Sequence, residues 1–192
     1  PLKLTPRLIR IYILCSLITT LSIFTPYTII LSCLAVFIAP PISNLLNFYD
    51  NIKNKKFIKL ASKKIKSSTT KIIAITGSNG KTSVKNILLK ILSSKYKVLA
   101  TPESFNTPIG IAKFINNSNL ENVDFLILEY GARQKGDIKF LCKTFGADYG
   151  IITSIAPQHL ETFKNIDNIK KTKNELAEFL NLKPCVFNLN NQ

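Results

Sequence analysis

The sequence predicts an α/β protein, a mostly parallel sheet carrying a P-loop, preceded by N-terminal membrane helices. Three observations lead there. After Lys71, short β-branched runs alternate with segments of helical period. One of those runs enters a Gly-x-x-Gly-Lys-Thr turn, and the first third of the 192 residues is apolar with almost no charge.

From Leu8 to Ile42 only Arg10 is charged, and Pro26 divides the stretch into residues 8–24 and 27–40. Each half is near the lower limit for crossing a ~30 Å hydrocarbon core. Residues 1–50 are therefore expected to form a membrane segment, through residues 8–42, as a helical hairpin or one kinked span. The stretch is too long for a signal peptide and no small-residue cleavage site follows. A soluble helix pair lacks a charged face to offer water. Residues 51–71 carry Lys53, Lys55, Lys56, Lys59, Lys63, Lys64, Lys66 and Lys71 without an acid. They read as a basic juxtamembrane linker that places the rest of the chain on the cytoplasmic side of the cytoplasmic membrane.

The +15 net charge gathers at this end. Residues 1–71 hold eleven of the 26 Lys/Arg but only Asp50 among the 11 acids. No aromatic residues interleave with the lysines in a stacking pattern, so nucleic acid is not an expected partner. Cys15, Cys33, Cys142 and Cys185 show no C-x-x-C spacing and read as reduced thiols. A single histidine, His159, excludes a multi-histidine metal centre.

In the remainder, residues 72–192, strands are expected at 72–76, 98–101, 125–129, 149–153 and 185–188. Helices are expected at 81–92, 109–116, 137–145 and 166–180. Such alternation gathers ligands at the carboxyl ends of parallel strands. The first strand leads into Gly77, Ser78, Asn79, Gly80, Lys81, Thr82 and Ser83. The glycines let backbone N–H groups approach phosphate oxygens, and the following helix adds its N-terminal N–H groups. Lys81 would meet the β- and γ-phosphates of ATP, and the Thr82 hydroxyl would bind Mg²⁺. A strict Walker A pattern fails at Ile75, where it requires glycine. The third strand ends at Glu129, a carboxylate placed to hold Mg²⁺ or orient its waters.

The shortened loop Thr-Gly-Ser-Asn-Gly-Lys-Thr-Ser resembles that of the Mur ligase family, ATP-dependent enzymes that add amino acids or dipeptides to peptidoglycan precursors. Four further stretches resemble the MurF type, in family order: Asn106-Thr107-Pro108-Ile109-Gly110, Glu129-Tyr130-Gly131-Ala132, Ala156-Pro157-Gln158-His159-Leu160-Glu161-Thr162-Phe163, and Lys173-Asn174-Glu175-Leu176. The resemblance implies a Mur ligase central ATP-binding domain, C-terminally incomplete. It places Asn106 and Thr107 near the phosphates and the reacting carboxylate, and His159 at a second Mg²⁺. Lys173 would be a carbamylated metal ligand. It implies ligation of D-Ala-D-Ala to UDP-MurNAc-tripeptide through an acyl phosphate, with Lys81, Glu129, His159 and Lys173 as the catalytic set. Arg133-Gln134 replaces a frequent Asn-His pair, so a substrate contact there is not carried over. The family's UDP-binding and C-terminal domains have no counterpart here, and this segment alone is expected to be inactive. The alternatives are a membrane-anchored P-loop ATPase, a Mur-type ligase with a different substrate, and a degenerate scaffold.

Overall fold

Runs such as Ile72-Ile73-Ala74-Ile75 are buried on both sides, which a strand achieves only inside a sheet covered on both faces. In the computed structural model, which describes residues 9, 10, 12, 13, 16, 17, 20, 28–102, 105–158 and 160–188, that sheet has five strands. They are β1 (Lys71–Thr76), β2 (Val98–Ala100), β3 (Phe125–Glu129), β4 (Tyr149–Ile152) and β5 (Cys185–Phe187). Their order is β2-β3-β1-β4-β5 and every pairing is parallel. β1 lies at the centre, with Ile75 paired to Glu129 of β3 and Thr76 paired to Ile152 of β4. The ends of β1, β3 and β4 are thus brought level beside one another.

The helices are α1 (Thr28–Lys66), α2 (Lys81–Leu92), α3 (Pro108–Asn117), α4 (Asp137–Phe145), α5 (Leu160–Phe163) and α6 (Ile166–Leu180). β1 alternates its side chains between two layers. Ile73 and Ile75 meet Val84, Leu88, Leu89 and Leu92 of α2. Ile72 and Ala74 join Ile111 and Ile115 of α3, Leu141 and Phe145 of α4, and Leu176 and Leu180 of α6. The expected bounds of α2, α4 and α6 are those found, and α3 and the five strands fall within about two residues of expectation, whereas α1 runs well past the apolar half expected to end at residue 40. The one-turn α5 was not expected.

The chain divides into two compact units, Pro1–Asn54 and Lys55–Gln192. The second apolar half, read as residues 27–40, does not end at residue 40 but continues as one helix. α1 runs through Pro40 and Pro41, and its ladder lacks those two N–H donors. Residues 8–24, the first half of the expected hairpin, lie largely outside the described residues. Among the described residues no helix is long and apolar enough to cross a membrane, so the expected membrane segment finds no support there.

In the second unit the expected basic linker is helical as far as Lys66. The reason lies in the residues between the lysines. Phe57, Ala61 and Ile65 recur every four positions and form one stripe. Ala61 and Ile65 are buried in the core cluster, with Phe57 and Ile58 packed against it. Ser62 Oγ donates to the Thr144 carbonyl at 2.5 Å. Lys64 Nζ donates to the carbonyls of Asn116 (3.1 Å) and Ser118 (2.5 Å), a cation at the C-terminus of α3. Cys142 is buried and Cys185 partly buried, both as free thiols, and burial pushes Cys142 up to about 12.

Candidate functional site

The turn after β1 is built by close approach. Gly77 has φ 147°, and a Cβ there would lie 2.1 Å from Thr153 Oγ1 and 3.0 Å from the Ser154 nitrogen. The loop after β4 therefore presses directly on this turn, and only glycine fits. Ser78 N donates to the Ser154 carbonyl (2.7 Å), Asn79 N donates to Ser154 Oγ (2.8 Å), and Ser78 Oγ donates to the Ala156 carbonyl (2.9 Å). Gln158 Nε2 reaches Asn79 Oδ1 at 2.8 Å. With the N–H groups of Ser78 and Asn79 engaged by Ser154, the N–H groups left to meet an anion are those at the start of α2. An α-helix leaves its first N–H groups without intrahelical partners, and Gly80 supplies no side-chain cap. Ser83 is exposed in that first turn.

Lys81 folds back over the turn, donating to the carbonyls of Gly77 and Ser78, each at 2.8 Å. Burial lowers its pKa, and Glu129 opposes that shift. Thr82 Oγ1 donates to Glu129 Oε2 at 3.0 Å, linking the first turn of α2 to the end of β3. Asn106 Nδ2 donates to Glu129 Oε1 at 3.3 Å. The Asn106 carbonyl accepts from Gly131 N at 2.9 Å, and a Cβ on Gly131 would lie equally close to that oxygen. Thr107 Oγ1 accepts from Gly110 N at 3.2 Å, so its hydroxyl is used as the N-cap of α3.

Gly77, Lys81, Asn106, Thr107, Arg133, Asp137 and Lys173 line one cavity of about 360 Å³. Lys173 reaches it from α6 and is only 4 % exposed. Its pKa is lowered to about 8, first by burial and then by the nearby Lys81 charge, with Asp137 and Glu175 opposing. Cations outnumber carboxylates on this wall, which suits an anionic ligand. His159 lies outside the described residues.

The donors present fit Mg²⁺. Among the described residues no three His, Cys, Asp or Glu side chains form a cage. Mg²⁺ at a nucleotide site needs only one or two carboxylates, a hydroxyl, phosphates and waters. Glu129 and Thr82, 3.0 Å apart beside the turn after β1, are the residues that would supply the protein's share.

The roles of two residues, Glu175 within a motif already singled out and Lys85, were missed in the sequence. Glu175 is buried, and its carboxylate accepts from Gly136 N (2.8 Å) and Lys139 N (2.9 Å), capping α4 from another helix. Lys85 is 2 % exposed with Nζ 3.7 Å from Glu129 Oε2. Its spacing was the available signal, four residues after Lys81 and so on the same face of α2.

A parallel α/β domain with a phosphate turn and a strand-end carboxylate one strand away is the class that fold and site define. Residues 75–192, more than half the chain, match the family model described as the Mur ligase middle domain, and the chain belongs to the Mur ligase family. It is similar to UDP-N-acetylmuramoyl-tripeptide--D-alanyl-D-alanine ligases. With that of Bacillus subtilis it is 32% identical over 111 residues, 58% of this chain and 24% of the relative. With that of Borreliella burgdorferi it is 36% identical over 117 residues, 61% and 25%. The MurF ligase of Thermotoga maritima, solved in complex with ADP, superposes with a TM-score of 0.67 at 31% identity. That match covers 71% of this chain and 32% of the other. MurF from Acinetobacter baumannii gives 0.68 at 25%, covering 72% and 31%. The chain thus spans about a quarter of the length of these curated relatives.

Proposed function

We propose that this chain is the ATP-binding part of a carboxylate–amine ligase of peptidoglycan precursor synthesis. The reaction joins D-Ala-D-Ala to UDP-MurNAc-tripeptide. ATP phosphorylates the precursor's terminal carboxylate, the incoming amine attacks the acyl phosphate, and amide, ADP and phosphate result. What supports this most is the convergence of Thr82 and Asn106 on Glu129 beside the phosphate turn, with Asn106, Lys81 and Lys173 on the wall of one cavity. The named activity of the relatives agrees with it.

In this reading Lys81 leaves the Gly77 and Ser78 carbonyls to meet the transferred phosphoryl group, whose charge it offsets. The α2 N–H groups orient the phosphates. Asn106 fixes the Glu129 carboxylate so that it and Thr82 hold Mg²⁺, which neutralises phosphate charge when bound. Lys173 acts as its carbamate, a cation turned into a carboxylate. Its lowered pKa supports this, since roughly a tenth of the amine is neutral and nucleophilic at pH 7. His159 keeps its proposed second-metal role on the resemblance alone.

Arg133 on the cavity wall, where Asn is frequent, favours a second reading, a Mur-type ligase for another acidic precursor. A membrane-side location rests on the sequence of residues 8–71 alone. The deciding experiment is an ATP-dependent ligation assay on the full-length protein with UDP-MurNAc-tripeptide and D-Ala-D-Ala. Phosphate release coupled to peptide product supports the proposal. ATP hydrolysis indifferent to both substrates refutes it, and coupling to another amino compound selects the second reading.

A further inference from the structure

We propose that Lys85 is a positioning residue, a built-in counter-ion that holds Glu129 ready and keeps free divalent ions off it until a nucleotide brings one. The inference rests on the reading of Thr82 and Glu129 as the Mg²⁺ donors and adds how that site is kept selective.

Lys85 is 2 % exposed, and its Nζ makes no hydrogen bond among the described residues. Its ionic neighbour is Glu129 Oε2 at 3.7 Å, the oxygen that also accepts from Thr82. A buried ammonium held at that distance is a poor device for stability. An apolar residue of similar volume would fill that space without the desolvation penalty. Its consequence is electrostatic. Lys85 neutralises the carboxylate that faces the phosphate turn, and Lys81, Lys173 and Arg133 outnumber Asp137 on the cavity wall. A bare divalent ion approaching Glu129 therefore meets a net positive site with a cation a few ångströms away. A nucleotide reverses the balance, because its phosphates answer both Lys81 and Lys85 and carry the metal in with them. Thr82 and Asn106 keep the carboxylate oriented through the exchange.

Equilibrium dialysis of Mn²⁺ against the full-length protein, with and without ADP, tests the proposal. The wild type should bind Mn²⁺ at least about tenfold more tightly with ADP than without it. Lys85→Met should raise nucleotide-free Mn²⁺ affinity by about tenfold or more, shrinking the dependence on ADP. Lys85→Gln should do the same if the methionine variant does not fold. A structural role alone would leave metal affinity unchanged or weaken it, and that result overturns the proposal. So does a wild type that takes up Mn²⁺ equally well with and without ADP. A wild type that takes up no Mn²⁺ even with ADP instead overturns the metal reading of Thr82 and Glu129, and this role with it.

Discussion

Thr82 Oγ1 and Glu129 Oε2 lie 3.0 Å apart although 47 residues separate them, because β1 and β3 are parallel neighbours whose ends are level. The contact fixes the phosphate turn against the strand-end carboxylate. Thr82→Val removes the hydroxyl at nearly constant volume. It should lower Mg²⁺-dependent nucleotide affinity about tenfold or more, with about 1–3 kcal/mol of stability lost because Glu129 gives up a donor. Titration with ADP in the presence and absence of Mg²⁺ separates the effects, and equal weakening in both would contradict the metal assignment.

Lys81→Ala should leave the fold intact, since among the described residues the side chain bonds only to carbonyls of its own turn. ATP turnover by the full-length protein should fall by about a hundredfold or more. Undiminished turnover would remove Lys81 from the mechanism.

Gly77→Ala tests the close approach of the β4 loop. The new methyl would meet Thr153 Oγ1 and the backbone of Ser154, at a φ that side chains rarely adopt. Thr153→Ala can relieve the first clash but not the second. Both the single and the double variant should lose about 1–3 kcal/mol of stability, read from denaturant midpoints. Full recovery in the double variant would show that the side chain alone made the fit.

Much of this was legible in the sequence because the signals were local. The strand–turn–helix around Gly77–Thr82 is written in contiguous residues, and so is the apolar run ending at Glu129. The residues that were missed act across distance. Glu175 looks like a solvated helix residue until α6 is laid on the N-terminus of α4. Lys85 looks like a surface lysine until β3 places Glu129 opposite it. Residues 51–66 misled by composition, because eight lysines between 53 and 71 hid the Phe57–Ala61–Ile65 stripe that binds them to the core.

Glu175→Ala removes both acceptors at the start of α4 and should cost about 2 kcal/mol. Glu175→Gln keeps one acceptor and should recover part of that. Hydrogen exchange offers a local check, with faster exchange of the Gly136 and Lys139 amides expected in the alanine variant. Unchanged protection there would mean the cap is not formed in solution.

Lys173 gives the protein a pH dependence of defined sign. In the fold its proton is lost at about 8, and in the unfolded chain near the ordinary 10.5. Between those values the unfolded state holds the proton that the native state has released, so stability rises with pH across that window. Below it both states are protonated and the native state bears the full cost of a buried ammonium. Lys173→Met should therefore be more stable than the wild type at pH 7, by about 3 kcal/mol at most. The gap should close toward pH 10.5. Lys81 shifts in the same direction, so the comparison must be the difference between wild type and variant, measured by denaturation at a series of pH values. Carbamylation adds a second signature. Bicarbonate near pH 8 should stabilise the wild type, because carbon dioxide captured by the neutral amine of the native state draws folding forward, and it should leave the methionine variant unmoved. Parallel pH curves for the two proteins would mean Lys173 is solvated, and its place in the cavity wall would have to be abandoned.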